Sequence, residues 1–150
     1  AYPQPSLLPN TAFGIAKGQE FSQFIELYFE LVARRLIPNL LGGTAPDPTV
    51  LKEVDLALNK AAEALPKLSN FEQFAYGEQF TLADIAAILN LPVVRGVGTT
   101  FLGKDLLSEV PGLDAYCARM EEREHVQKIR ADAAADRPGF MAHLKALYGI

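Results

Sequence analysis

The 150-residue chain is 49% hydrophobic and 21% charged, with a formal net charge of -4 and no long run of like sign. That balance offers no footprint for DNA, RNA or anionic lipid, and unbroken apolar stretches run only a few residues against the ~20 needed to cross a bilayer. No nucleic-acid or membrane partner is therefore expected, and a single cysteine, Cys117, without a basic-then-apolar leader points to one cytoplasmic domain.

Residues 1–9 contain Pro3, Pro5 and Pro9, which fix φ and remove donors, so the segment reads as an extended connector. A connector at this place implies that residues 10–150 form the second half of a larger protein. From about residue 10 to 36, apolar side chains recur at Phe21, Phe24, Ile25, Tyr28, Val32 and Leu36, the spacing of a long helix. Gly14 and Gly18 should weaken its first turns, Glu30 and Arg34 stand in the order of a helical ion pair, and Pro38 with Gly42-Gly43 should close it.

Asp47-Pro48 is a cap followed by a first-turn proline, and Leu51, Val54, Leu58, Ala61, Ala62 and Leu65 make one stripe of a second helix. After a loop bearing Phe71, Phe74 and Tyr76 comes the most informative segment. Thr81 is placed to cap a helix through the N–H of Asp84, while the Asp84 carboxylate returns to the Thr81 N–H. Phe80 and Ile85 flank this box as a hydrophobic staple. Leu82, Ile85, Ala86 and Leu89 place the cap under apolar cover, where losing it costs about 0.5–2 kcal/mol. Pro92 should kink or end this helix, leaving Val93, Val94 and Val97 beyond a bend. Pro111 opens a helix with Leu113, Tyr116, Cys117 and Met120 inward. Val126, Ile129 and Ala133 suggest another, and Phe140, Leu144 and Leu147 a last one after Arg137-Pro138-Gly139. Six or seven helices without a sheet make an all-α multi-helix bundle.

Groups for chemistry are sparse. Gly98 to Lys104 has the spacing of a phosphate-binding loop, but Asp105 stands where a metal-binding Ser or Thr is needed and would repel phosphate. His125 and His143 lie far apart without Cys or paired carboxylates at ligand spacing, so no metal site is expected. No serine sits in a Gly-x-Ser-x-Gly elbow, and Cys117 reads as a small core residue, so no catalytic group is assigned.

The connector Tyr2-Pro3-Gln4-Pro5-Ser6-Leu7-Leu8-Pro9, the long first helix and the boxed segment from Gly77 to Leu89 together resemble the glutathione transferase family, in its C-terminal helical domain. Tyr116 stands where an aromatic commonly packs, and Val126-Gln127-Lys128 resembles a later stretch. Members often carry Arg-Pro before that stretch, whereas this chain reads Arg123-Glu124-His125. The resemblance implies a missing thioredoxin-like N-terminal half that binds glutathione as co-substrate and favours its thiolate for attack on a hydrophobic electrophile, in a detoxifying homodimer. It places Tyr28, Leu31 and Arg35, with Tyr148 and Ile150 of the tail, around the electrophile, and Glu26 toward glutathione across the dimer. The same helical domain also serves in some proteins as a non-catalytic interaction module, which stays open as the alternative.

Overall fold

The structure is a computed structural model that describes residues 6–149. Its first rod is α1 (Ala12–Phe24), a π turn (Ile25–Glu30), α2 (Leu31–Ala33), a 3-10 turn (Arg34–Leu36) and α3 (Ile37–Gly42). Thr11 caps α1 by accepting the Gly14 N–H at 3.0 Å. The two glycines expected only to weaken this helix are buried instead. A Cβ on Gly14 would lie 2.8 Å from Pro9 Cβ, so the missing side chain is what lets the connector lie against the helix.

The rod's buried residues are Phe21, Ile25, Phe29, Ala33 and Leu36, with Phe24 and Val32 half-buried against them, so of the expected inward residues Tyr28 alone gives its place, to Phe29. The π turn explains the change: i→i+5 bonding widens the turn, so steps of four residues stay in phase with the core and Tyr28 rotates outward. Pro38 begins α3 rather than ending the rod, because the first helical turn has no donor to lose. Gly43 at φ 63° is the actual stop. The Glu30–Arg34 pair forms at 2.8 Å.

In α4 (Pro48–Ala64), Asp47 accepts the N–H groups of Thr49 at 2.8 Å and Val50 at 3.2 Å. Val54, Leu58 and Ala61 are its buried stripe, continued by Leu65 in a 3-10 turn (Leu65–Lys67). Helix α5 (Leu82–Val97) is the central element and packs chiefly on α1 and the π turn. It runs through Pro92, which therefore does not end it, and into a second π turn (Gly98–Leu102). The carbonyl that Pro92 leaves without a donor, that of Ile88, accepts from Arg130 Nη2 at 3.0 Å, which removes the cost of the missing N–H.

The 21 residues Leu82–Leu102 are by length and composition long and apolar enough to cross a membrane. A count of unbroken apolar residues missed this because Asp84, Asn90 and Arg95 interrupt the run. Here one face of that stretch, with Ala83, Ala87, Leu91, Val94 and Val97, lies in the common core, and 33% of the stretch is buried, while Leu82 and Leu89 are exposed.

Helix α6 (Leu113–Glu121) follows Gly112. The two last helices expected from the sequence are one, α7 (Glu124–Tyr148), which contains Pro138 and Gly139. Pro138 is tolerated because Ala134, whose carbonyl it frees, is exposed to water. Val126 is buried, but Ile129, Phe140 and Leu147, expected inward, are 55%, 54% and 67% exposed. Their helix lies along the edge of the bundle, touching α3 and α6, rather than inside it. No strand occurs among the described residues, and the fold is all-α.

Candidate functional site

The boxed segment forms the polar centre of an apolar core. Both halves of the capping box close. Thr81 N–H donates to Asp84 Oδ2 at 2.8 Å, and the Thr81 hydroxyl accepts the Ala83 N–H at 3.3 Å, while the Asp84 N–H expected on that hydroxyl donates to the Thr81 carbonyl at 3.1 Å. Two donors absent from the sequence reading complete the carboxylate's shell: Ala75 N–H reaches Oδ1 at 2.8 Å and the Tyr116 hydroxyl reaches it at 3.1 Å. Asp84 thus ties the loop before α5, the start of α5 and the middle of α6 to one side chain. Thr81 and Asp84 are the buried polar residues among those described. The staple residues Phe80 and Ile85 line one gap of about 160 Å³ facing α7, and the Arg123 guanidinium covers the Phe80 ring at 4.2 Å.

Burial pushes the Asp84 carboxyl above its ordinary 3.8, against the pull of the Ala75 and Thr81 N–H groups and the Tyr116 hydroxyl. The folded chain then holds this proton more tightly than the unfolded chain. Asp84 therefore favours folding most when protonated, and that contribution declines as pH rises from 3.8 through the folded-state value. Measured by urea unfolding across this window, the wild type is expected to lose stability relative to Asp84→Asn as pH rises. The opposite slope would mean that the donors outweigh burial. Asp47, exposed and lowered by the Val50 and Thr49 N–H groups, titrates with the reverse sign in both proteins and cancels in the comparison. The Tyr116 hydroxyl is held protonated far above its usual range by burial and by Asp84, as suits a donor.

The loop beside this centre is fixed by a group the sequence did not flag. Phe71, buried at φ 54°, places its ring 5.1 Å from Tyr116 and 6.0 Å from Phe21. Arg119 Nη2 donates to the Phe71 carbonyl at 2.9 Å and the Glu72 carbonyl at 2.7 Å.

On the first rod, Tyr28 and Leu31 are 56% and 51% exposed, followed by exposed Arg35, which pairs with Glu53 at 2.7 Å. Tyr28 lines a cleft of about 550 Å³ with Phe24, Leu27, Ala64 and Leu68, between the rod and the end of α4. Glu26 lines a different cleft of about 430 Å³, between α1 and α5 beneath Leu7 and Pro9. Tyr28 and Glu26 thus line different clefts, and Leu31 lines neither. Tyr148 ends α7 with its side chain outside the described residues, as is the whole of Ile150.

The loop resembling a phosphate cradle is committed elsewhere. Asp105 pairs with Arg95 at 3.1 Å, and Lys104 reaches Asp55 at 3.3 Å and Asn59 at 3.0 Å. Cys117 is half-buried, and burial pushes its thiol up, away from the nucleophilic thiolate. His125 and His143 are exposed, and no group of His, Cys, Asp and Glu able to hold a metal occurs among the described residues.

Comparison with known proteins matches residues 26–124 to the family described as glutathione S-transferase, C-terminal domain. A glutathione S-transferase of Pseudomonas putida is 31% identical over 141 residues, covering 94% of this chain. The chain spans 64% of that protein's length. With the sheetless bundle and the closed capping box, these matches show that the chain belongs to the glutathione S-transferase family, in its C-terminal helical domain.

Proposed function

We propose that this chain is the helical part of a dimeric cytoplasmic glutathione transferase, in which it supplies the apolar wall against which a hydrophobic electrophile rests while a thioredoxin-like part activates glutathione for detoxifying conjugation. The observation that carries this reading is the exposure of Leu27 and Tyr28 in a cleft, with Leu31 exposed on the same rod, whose other face fills the core. Such side chains remain exposed at a cost unless a ligand or a partner covers them. Arg35 would border the wall, with Tyr148 and Ile150 closing it from the tail, and Glu26 would reach the partner subunit's glutathione from its separate cleft. Thiolate activation falls to the other part, so the 150-residue chain alone should be inert.

The test is a methyl-labelled NMR titration with S-hexylglutathione and, separately, glutathione. The hexyl conjugate is expected to shift Leu27 and Leu31 resonances, with Tyr28→Ala weakening the effect several-fold, and glutathione alone to leave them in place. Equal shifts from both ligands, or none from the conjugate, would contradict the wall assignment and leave the interaction module as the better reading. With glutathione and a chloronitroaromatic, turnover by the chain should equal the spontaneous rate.

A further inference from the structure

Helix α7 is long but weakly held. No described residue beyond Met120 belongs to the continuous core, and between residues 127 and 147 all side chains are exposed except Arg130, Met141 and Leu144, which are half-buried. Its seam with α5 is loosely filled, leaving the gap of about 160 Å³ among Phe80, Ile85, Ile88, Val126 and Ile129. One polar contact crosses that seam with an acceptor that needs it. Arg130 Nη2 donates to the Ile88 carbonyl at 3.0 Å, the acceptor stripped of its own helical donor by Pro92, and the same guanidinium holds Glu121 at 2.8 Å. A proline at residue 92 and an arginine at 130 are thus complementary parts of one joint: the first opens an acceptor in α5 and the second closes it from α7.

We propose that Arg130 is the latch of a detachable strap, and that α7 undocks from α5 as a unit, swinging on the 121–124 turn while the bundle of α1, α4 and α5 stays folded. The latch is specific to the main chain of α5 rather than to charge. An exposed arginine–glutamate pair contributes little, whereas a half-buried carbonyl with no helical donor loses its hydrogen-bond partner wherever packing keeps water from replacing the guanidinium. Few buried apolar contacts and one decisive hydrogen bond are the features of a segment that opens below the global unfolding free energy. Undocking also breaks the contact of α7 with α3, so the strap would leave the rod at the same time.

Native-state hydrogen exchange read by mass spectrometry on the full chain tests this. In Arg130→Met, protection of peptides covering residues 124–134 is expected to fall about tenfold or more, while peptides from α4 and the core of α5 keep theirs. Glu121→Gln removes the ion pair alone and should change exchange less than about threefold. In a Pro92→Ala background the restored N–H of residue 92 can take the Ile88 carbonyl, so adding Arg130→Met should then have a much smaller effect. The proposal is overturned if α7 exchanges only together with α4 and α5, if Arg130→Met leaves residues 124–134 unchanged, if Glu121→Gln reproduces its effect, or if that effect is the same with and without Pro92.

Discussion

Replacing Asp84 with alanine is expected to lower the stability of the domain by about 3–5 kcal/mol at neutral pH, read as a drop of about 6–20 °C in Tm or the equivalent shift in urea midpoint. The magnitude follows from what is left behind. The Ala75 N–H, the Thr81 N–H and the Tyr116 hydroxyl all point at the carboxylate from within the core. Each orphaned donor costs about 1–3 kcal/mol, reduced in sum by relaxation and by recovery of the cost of burying a carboxyl group. Against a total of about 5–15 kcal/mol for a domain, the loss is large enough to populate the unfolded chain. Tyr116→Phe removes one donor while retaining the ring, and should cost about 1 kcal/mol. If Asp84→Ala cost no more than Tyr116→Phe, the carboxylate would not be the joint of the three segments.

The second large effect is expected at Gly112→Ala, by a different mechanism. Gly112 sits at φ 76°, where a side chain is strained by about 1–2 kcal/mol. Its Cβ would also lie 2.6 Å from the Asn70 carbonyl oxygen and 3.4 Å from Phe71 Cβ. Neither neighbour yields easily, because Arg119 holds the Phe71 and Glu72 carbonyls and the Phe71 ring is packed between Tyr116 and Phe21. A destabilisation of about 3 kcal/mol or more is expected by chemical denaturation. Gly103→Ala is the control: its φ is 67° but nothing lies within 4 Å of the added Cβ, so only the conformational cost of about 1–2 kcal/mol should appear. Equal losses at the two glycines would show that the contact between residue 112 and the loop at residues 70–71 is not tight.

Sequence reasoning reached as far as local signals extend. Asp47-Pro48 and Thr81-Asp84 announce helix starts because a cap acts within three residues, and both caps form as that chemistry requires. The stripe of α4 was legible since an unbroken helix has one period. The helical period misplaces Tyr28 because a π turn changes it, and no residue in Ile25–Glu30 advertises that turn. Neither Pro92 nor Pro138 ends its helix: the carbonyl freed by Pro92 is taken by Arg130, 38 residues away along the chain, and the one freed by Pro138 faces solvent. Tyr116 was placed inward correctly, but its hydroxyl partner depends on the packing of α6 against the start of α5, which periodicity does not encode. Of the surface residues, Tyr28 and Leu31 came from family resemblance, and their exposure is a property of the fold rather than of their type.

The most direct test of the buried joint is to follow the Asp84 carboxyl carbon by NMR as the folded chain is titrated, together with the amides of Ala75 and Thr81. The expected result is a midpoint above the ordinary 3.8, with both amides shifting in step as their acceptor takes up a proton. A midpoint at or below 3.8 with the two amides unmoved would place the carboxyl in water and contradict the structure's central claim.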